Sequence, residues 1–247
     1  MTCSNCGSES LIKAHLIPRV FAVEVKVGKS FAANVSESGR FRPTQSGIWD
    51  NTILCSKCDG VLGNYENYAY QVTKRIRRAE TPTPWQTRTL GDVDVSMILR
   101  FCAGILYKFS LTGADNGRVK LGRYQELLRQ YLFNSDSLCP PELDVIVLRP
   151  IRYANDNGVF AYRAPRDDRA SGLNFYRMML GGVIFFVNLD SRGTASHTLK
   201  NEFIKADTNS LKFTIVNAHK FEEYTTPARL VHEGSLSSFL DHVENQT

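Results

Sequence analysis

Cys3-Ser4-Asn5-Cys6, Lys13-Ala14-His15-Leu16-Ile17-Pro18-Arg19 and Asp50-Asn51-Thr52-Ile53-Leu54-Cys55-Ser56-Lys57-Cys58-Asp59 are the three runs that decide how this chain is read. Thiolates are strong zinc ligands, and a Cys-x2-Cys turn lets two sulfurs reach one ion. Two such turns complete a tetrahedral site, so Cys3, Cys6, Cys55 and Cys58 are expected to hold one structural Zn²⁺. Disulfides compete for the same residues, but six cysteines in 247 residues is far below the density of a disulfide scaffold. A redox dithiol would stand alone at the start of a helix in a βαβ unit. The metal's binding free energy becomes folding free energy, so this segment needs little core of its own.

Between the two cysteine pairs, His15 is followed three residues later by Pro18. With its bracket of Cys-x2-Cys turns, this segment resembles the HNH (ββα-metal) endonuclease family, in the subset built on a treble-clef four-cysteine zinc knuckle. The resemblance covers residues 3 to 70. It implies that His15 is the general base that activates water and that Asn51, or Asp50 at a slightly better spacing, orients it. It also implies that Asp59, directly after Cys58, is a ligand of a catalytic Mg²⁺ or Mn²⁺. One departure stands out: Ala14 occupies the slot of the family's first metal-binding side chain, and alanine cannot ligate. Asp59 stands for a His or Asn, which suits a hard cation. Glu66 is a further candidate, two helical turns on and on the same face, but about 10 Å from Asp59 along the axis. It equally suits anchoring Arg19 or Lys13.

The resemblance therefore implies a metal-dependent nuclease hydrolysing phosphodiester bonds, in DNA rather than RNA, and a setting in phage biology or antiviral defence. Because of Ala14, the alternative is a catalytically inactive, zinc-stabilised module for nucleic-acid binding or protein assembly.

A net charge of +5 and a pI near 8.9 permit a polyanionic partner without requiring one. No apolar segment opens the chain and no run of about 18 apolar residues occurs, so the expectation is a cytoplasmic protein with no membrane partner. Cys102 and Cys139 read as ordinary thiols.

The segment 19–25 is apolar but undecided between helix and strand. Residues 28–47 turn polar and glycine-rich, an extended loop or irregular hairpin carrying Lys29, Arg40 and Arg42. From Asp59 to Arg78 the stripe Leu62, Tyr65, Ala69, Val72, Ile76 predicts an amphipathic helix capped by Asp59. Its basic end, Lys74, Arg75, Arg77 and Arg78, complements the helix dipole and, with Arg19, is a candidate phosphate contact.

Thr81-Pro82-Thr83-Pro84 ends the helix and suggests a boundary between an HNH-like module (1–80) and an α+β domain (85–247). The second region is expected to have helices within 93–133, an antiparallel sheet within 143–218 and a short C-terminal helix over 236–243. Asn155-Asp156-Asn157-Gly158 reads as a hairpin turn between strands 144–148 and 159–162, and Gly181-Gly182 as a second hairpin or a strand with a glycine bulge. Asp167-Asp168-Arg169 reads as a solvated loop. His197, His219, His232 and His242 are scattered. The second region offers a surface for a partner protein or a second copy. The fold class is α+β: a zinc-bound N-terminal treble-clef or ββα-metal module, then helices and an antiparallel sheet.

Overall fold

The computed structural model describes residues 1–26, 31–34, 41–44, 47–80, 83–170, 172–194, 200–206, 208–234 and 241. In chain order the elements are β1 (Ala14–His15), α1 (Arg19–Val23), β2 (Phe31–Asn34), β3 (Phe41–Thr44), β4 (Trp49–Asp50), α2 (Ser56–Arg78), β5 (Thr87–Leu90), α3 (Val95–Leu111), α4 (Tyr124–Phe133), β6 (Asp144–Ile151), β7 (Arg163–Ala170), β8 (Leu173–Leu180), β9 (Val183–Asn188), β10 (Leu211–Asn217) and α5 (Glu222–His232). The fold is α+β, as the residue pattern implied.

Helix α3 is the spine. It is buried on nearly every side from Val95 to Ser110, as expected of a helix that is apolar all round. Its Phe101 meets Phe185 of β9 and Phe21 of α1, each with ring centroids 5.6 Å apart. Gly104 lets α2 and α4 approach closely: a methyl group there would stand 3.4 Å from Leu62 and 3.7 Å from Leu132. Residues on both sides of the Thr81–Pro84 break share one buried cluster, running from Leu16 and Leu62 through Phe101 to Phe185 and Phe213.

The large sheet has the strand order β5-β10-β6-β9-β8-β7. All its neighbours are antiparallel except β6 and β10, which run parallel. The sheet is thus mixed rather than wholly antiparallel. Its outer strand β7 carries Arg163, Arg166, Asp167, Asp168 and Arg169, with a register shift between Arg163 and Arg166. Charge and irregularity are common devices against edge-to-edge association. Asp167-Asp168-Arg169 is therefore edge strand, not a solvated loop, and Asp168 pairs with Arg177 at 2.9 Å.

Asn155-Asp156-Asn157-Gly158 turns the chain but does not join paired strands. Strand β6, buried along most of its length, takes the sheet interior between β9 and β10, and 159–162 is not a strand. The local reason is Asp156, whose carboxylate turns inward to accept from Arg152 Nε and from the Arg152 and Gly158 backbone amides. Of the two alternatives at Gly181-Gly182, the hairpin is the one present. Gly181 and Gly182 have φ of 56° and 69°, as a two-residue type I′ turn between β8 and β9 requires.

Helix α5 was not anticipated. It docks through ion pairs more than apolar packing: Arg177 Nε lies 2.7 Å from Glu223 Oε1, and Arg166 and Arg177 both reach Glu222. The helix expected over 236–243 and its Ser235 cap, together with His197, His242, Lys29 and Arg40, lie outside the described residues, apart from Asp241.

The Gly181 position generates a test. A methyl group there would stand 2.7 Å from Thr73 Oγ1 and 2.8 Å from the Phe21 ring, on a backbone that side chains rarely adopt. Gly181→Ala is expected to cost about 2 kcal/mol in urea unfolding.

Candidate metal centre and the strand pair beside it

The first cysteine pair sits in a tight turn. Gly7, at φ 74°, lets its own N–H return to Cys3 O at 2.9 Å, and Cys3 N–H closes on Ser8 O at 2.8 Å. The turn is pinned to the second pair by Ser4 N–H to Ile53 O at 2.9 Å and Ile12 N–H to Leu54 O at 3.1 Å. Cys55 is the N-cap of α2 and Cys58 lies in its first turn. The helix therefore starts three residues before the expected Asp59, because the second knuckle is itself the helix start.

One sulfur from each of Cys3, Cys6, Cys55 and Cys58 lies within 4.8 Å of all the others. The Cys6 and Cys55 sulfurs are 3.6 Å apart, close to the value of about 3.8 Å for a tetrahedral ZnS₄ unit with 2.3 Å bonds. All four are free thiols. Burial pushes the Cys3 thiol up, but the N–H groups of Cys6, Asn5 and Cys55 outweigh it and bring it down to about 6. Burial pushes Cys58 up to about 12, reinforced by its three sulfur neighbours against the Asn5 amide. Four thiolates cannot share this space without a cation, and a soft divalent ion that displaces their protons fits the donor set.

A surrounding layer holds these ligands. Asn5 Nδ2 donates to Cys58 Sγ at 3.2 Å, and Asn5 Oδ1 accepts from Arg129 Nη1 of α4 at 3.0 Å. Asn5 lies within the first knuckle, but Arg129 stands 124 residues away and gave no local sign of this role.

His15 lies in β1, paired with Trp49 of β4, while Ala14 pairs with Asp50. Cross-strand partners share a face of the ladder. His15 and Trp49 therefore face one way, and Ala14 and Asp50 the other. Asp50 does not orient the His15 ring from this position. Its Oδ1 accepts from Thr52 N–H at 2.8 Å and Thr52 Oγ1 at 2.6 Å, and its Oδ2 accepts from Thr112 Oγ1 at 2.6 Å. Burial works to raise its pKa, but these bonds outweigh it and hold the carboxyl below its ordinary range. Asn51 is exposed just beyond the strand.

Glu66 is engaged in the interior. Its Oε1 is 2.5 Å from Lys108 Nζ, and that fully buried ammonium also donates to His15 O at 2.5 Å. Glu66 thus anchors a lysine, although neither Lys13 nor Arg19, the partners weighed from the sequence. A lone lysine in the apolar run of α3 was the available sign, because a buried charge requires a partner. Asp59 is half-buried in the first turn of α2. Among the described residues, the four cysteines are the only gathering of three or more His, Cys, Asp or Glu side chains close enough for one ion. His15, Asp50, Asp59 and Glu66 do not form a second such group. Their geometry offers a Mg²⁺ or Mn²⁺ ion no preformed cage.

The basic end of α2 is largely committed to the fold. Arg75 donates to Gly91 O at 2.7 Å and Asp92 O at 3.0 Å. Arg77 donates to Gly181 O at 2.6 Å and forks onto Glu24 at 2.5 and 3.3 Å. Lys74 lies 5.3 Å from the Tyr70 ring centroid. Arg19 and Arg78 are exposed. Among the described residues no helix is long and apolar enough to cross a membrane.

No protein-family model, curated protein or solved structure matches this chain. What is established about the site is therefore its geometry: a four-cysteine cluster able to bind a metal ion, consistent with structural zinc.

Two outcomes follow. The purified chain is expected to contain one zinc per molecule by elemental analysis, and Cys58→Ala to lose both the zinc and the cooperative thermal transition. Glu66→Ala should strand the Lys108 ammonium and cost about 3–5 kcal/mol in denaturant unfolding, most of it recovered when Lys108→Met is combined with Glu66→Leu. If Glu66 instead serves as a metal ligand, the single substitution will be tolerated in protein free of Mg²⁺ and Mn²⁺.

Proposed function

We propose that this chain is an HNH-like, zinc-organised nuclease that hydrolyses phosphodiester bonds, with DNA favoured over RNA. The observation that carries this reading is the order of parts around the cysteines. The strand holding His15 pairs with the strand leading to Cys55, and α2 follows at once, giving β, β and α around a cysteine cluster. In this reading zinc holds the parts in register and takes no part in chemistry. His15 accepts the proton of the attacking water, and Lys108, through the His15 carbonyl, fixes the strand that carries the ring. Asn51 remains the candidate for orienting that ring.

A bound Mg²⁺ or Mn²⁺ would supply charge stabilisation at the phosphate. Asp59 is the carboxylate left for it once Asp50 and Glu66 are engaged. A site resting on one carboxylate is compatible with Mg²⁺, which commonly takes one or two carboxylates and completes its shell with substrate phosphates and water. The chain's own contribution to such a site is Asp59.

A second reading, a zinc-stabilised nucleic-acid-binding or assembly module without catalysis, is favoured by the fully buried Ala14, the saturated Asp50 and the Glu66–Lys108 pair. Supercoiled plasmid and a folded RNA, incubated with the chain in Mg²⁺, Mn²⁺ or chelator, separate the two. The nuclease reading expects metal-dependent nicking that falls by about 100-fold or more in His15→Ala, with zinc content unchanged. Binding without nicking, or nicking that persists undiminished in that variant, removes the mechanism.

A further inference from the structure

One face of the β1–β4 ladder is turned to the interior, where Ala14 is fully buried and Asp50 reaches Thr112. The other carries His15 from the first strand and Trp49 from the second, joined by Lys13, which precedes the first strand and reaches the Trp49 ring. Trp49 is 38% exposed, and the Lys13 ammonium sits 4.6 Å from its ring centroid. The ladder is fixed at both ends, by Leu16 N–H to Ile48 O at 2.9 Å and Ile12 N–H to Leu54 O. The indole is therefore mounted on a rigid frame beside the metal knuckle. The ammonium thus lies over the indole as a cation–π contact, and among the described residues Lys13 forms no ion pair.

We propose that this face is a stacking platform for an unpaired nucleobase, with Trp49 as the ring and Lys13, which yields its place over the ring to the base, as the contact to the adjoining phosphate. Three features commit it to that occupant. A half-exposed indole that already holds a cation over its ring is a π-surface that a base can take over, and such stacking tolerates every base. In a duplex those faces are hidden within the stack, leaving only edges and phosphates, so the ring needs an unpaired nucleotide. The neighbouring ammonium and the net charge of +5 complement a polyanion. The inference rests on the nucleic-acid part of the proposed function and is independent of hydrolysis.

The test uses the zinc-loaded full chain carrying Trp85→Phe, so that Trp49 is the one remaining indole. Oligothymidine and oligouridine of roughly 15 nucleotides, and a duplex of the same length, are titrated without added Mg²⁺ or Mn²⁺. Saturable quenching of Trp49 by a single strand, weaker with the duplex, is expected; the two strands separate DNA from RNA as the source. By anisotropy of labelled strand, Trp49→Ala should lower affinity by about 5- to 150-fold and Trp49→Phe should retain most of it. Lys13→Ala should lower the salt dependence by about one phosphate contact. Zinc content, measured for each variant, reports folding. No quenching, a preference for the duplex, or unchanged affinity in zinc-replete Trp49→Ala would overturn the platform. Single-strand binding without nicking would support it while removing the hydrolase, and nicking with an unquenched Trp49 would do the reverse.

Discussion

Four sulfurs drawn to within 4.8 Å of one another hold together chain segments that are otherwise about fifty residues apart, and the N-terminal architecture depends on that constraint. Closing so long a loop carries an entropic cost that hairpins of two and four residues cannot offset by their own hydrogen bonds. A metal bound by four thiolates supplies on the order of 10 kcal/mol, the scale needed. The local structure is arranged for it: backbone amides converge on Cys3, the Asn5 amide on Cys58, and the helix start itself presents the second pair. Through Arg129, the same centre is tied to α4, so it organises contacts beyond the first knuckle.

Helix α3 carries that order into the rest of the molecule. Most of its surface contributes apolar packing, and Lys108 departs from this within the core. Lys108 takes a charge into the interior, where desolvation alone would be costly. It is balanced by Glu66 and by the His15 carbonyl, and so links α2, α3 and β1 at a single point. Buried pairs of this kind add little net stability relative to apolar replacements, so their effect lies more in register than in free energy. Here the register fixed is that of the strand bearing His15.

Much of this was legible beforehand because it is written in short-range pattern. Cys-x2-Cys spacing, the stripe from Leu62 to Ile76, the all-round apolar run of α3 and the Gly181-Gly182 turn are each specified by a few neighbouring residues, and each appears in the structure. What was not legible depended on distant partners. Asn155–Gly158 carries a hairpin composition, but the pairing of β6 is decided by β9 and β10, which no local window contains. At the basic end of α2, the bonds of Arg75 to Gly91 and Asp92 and of Arg77 to Gly181 and Glu24 likewise have no local sign. Glu66 offered a plausible metal oxygen for the same reason: its true partner lies 42 positions onward.

The alanine at position 14 becomes intelligible from the register of two residues. In a strand, positions 14 and 15 must face opposite ways, and 14 looks inward beside Asp50. A carboxylate at 14 would share that enclosed face with the Asp50 carboxylate, and two like charges there require a cation between them or a proton on one. In this chain position 14 is alanine, and the Asp50 carboxylate is held by the Thr52 and Thr112 hydroxyls. Ala14 and Asp50 are therefore one coupled feature: with alanine at 14, Asp50 can be spent on structure, and any chemistry at this ladder is left to the opposite face, where His15, Trp49 and Lys13 stand.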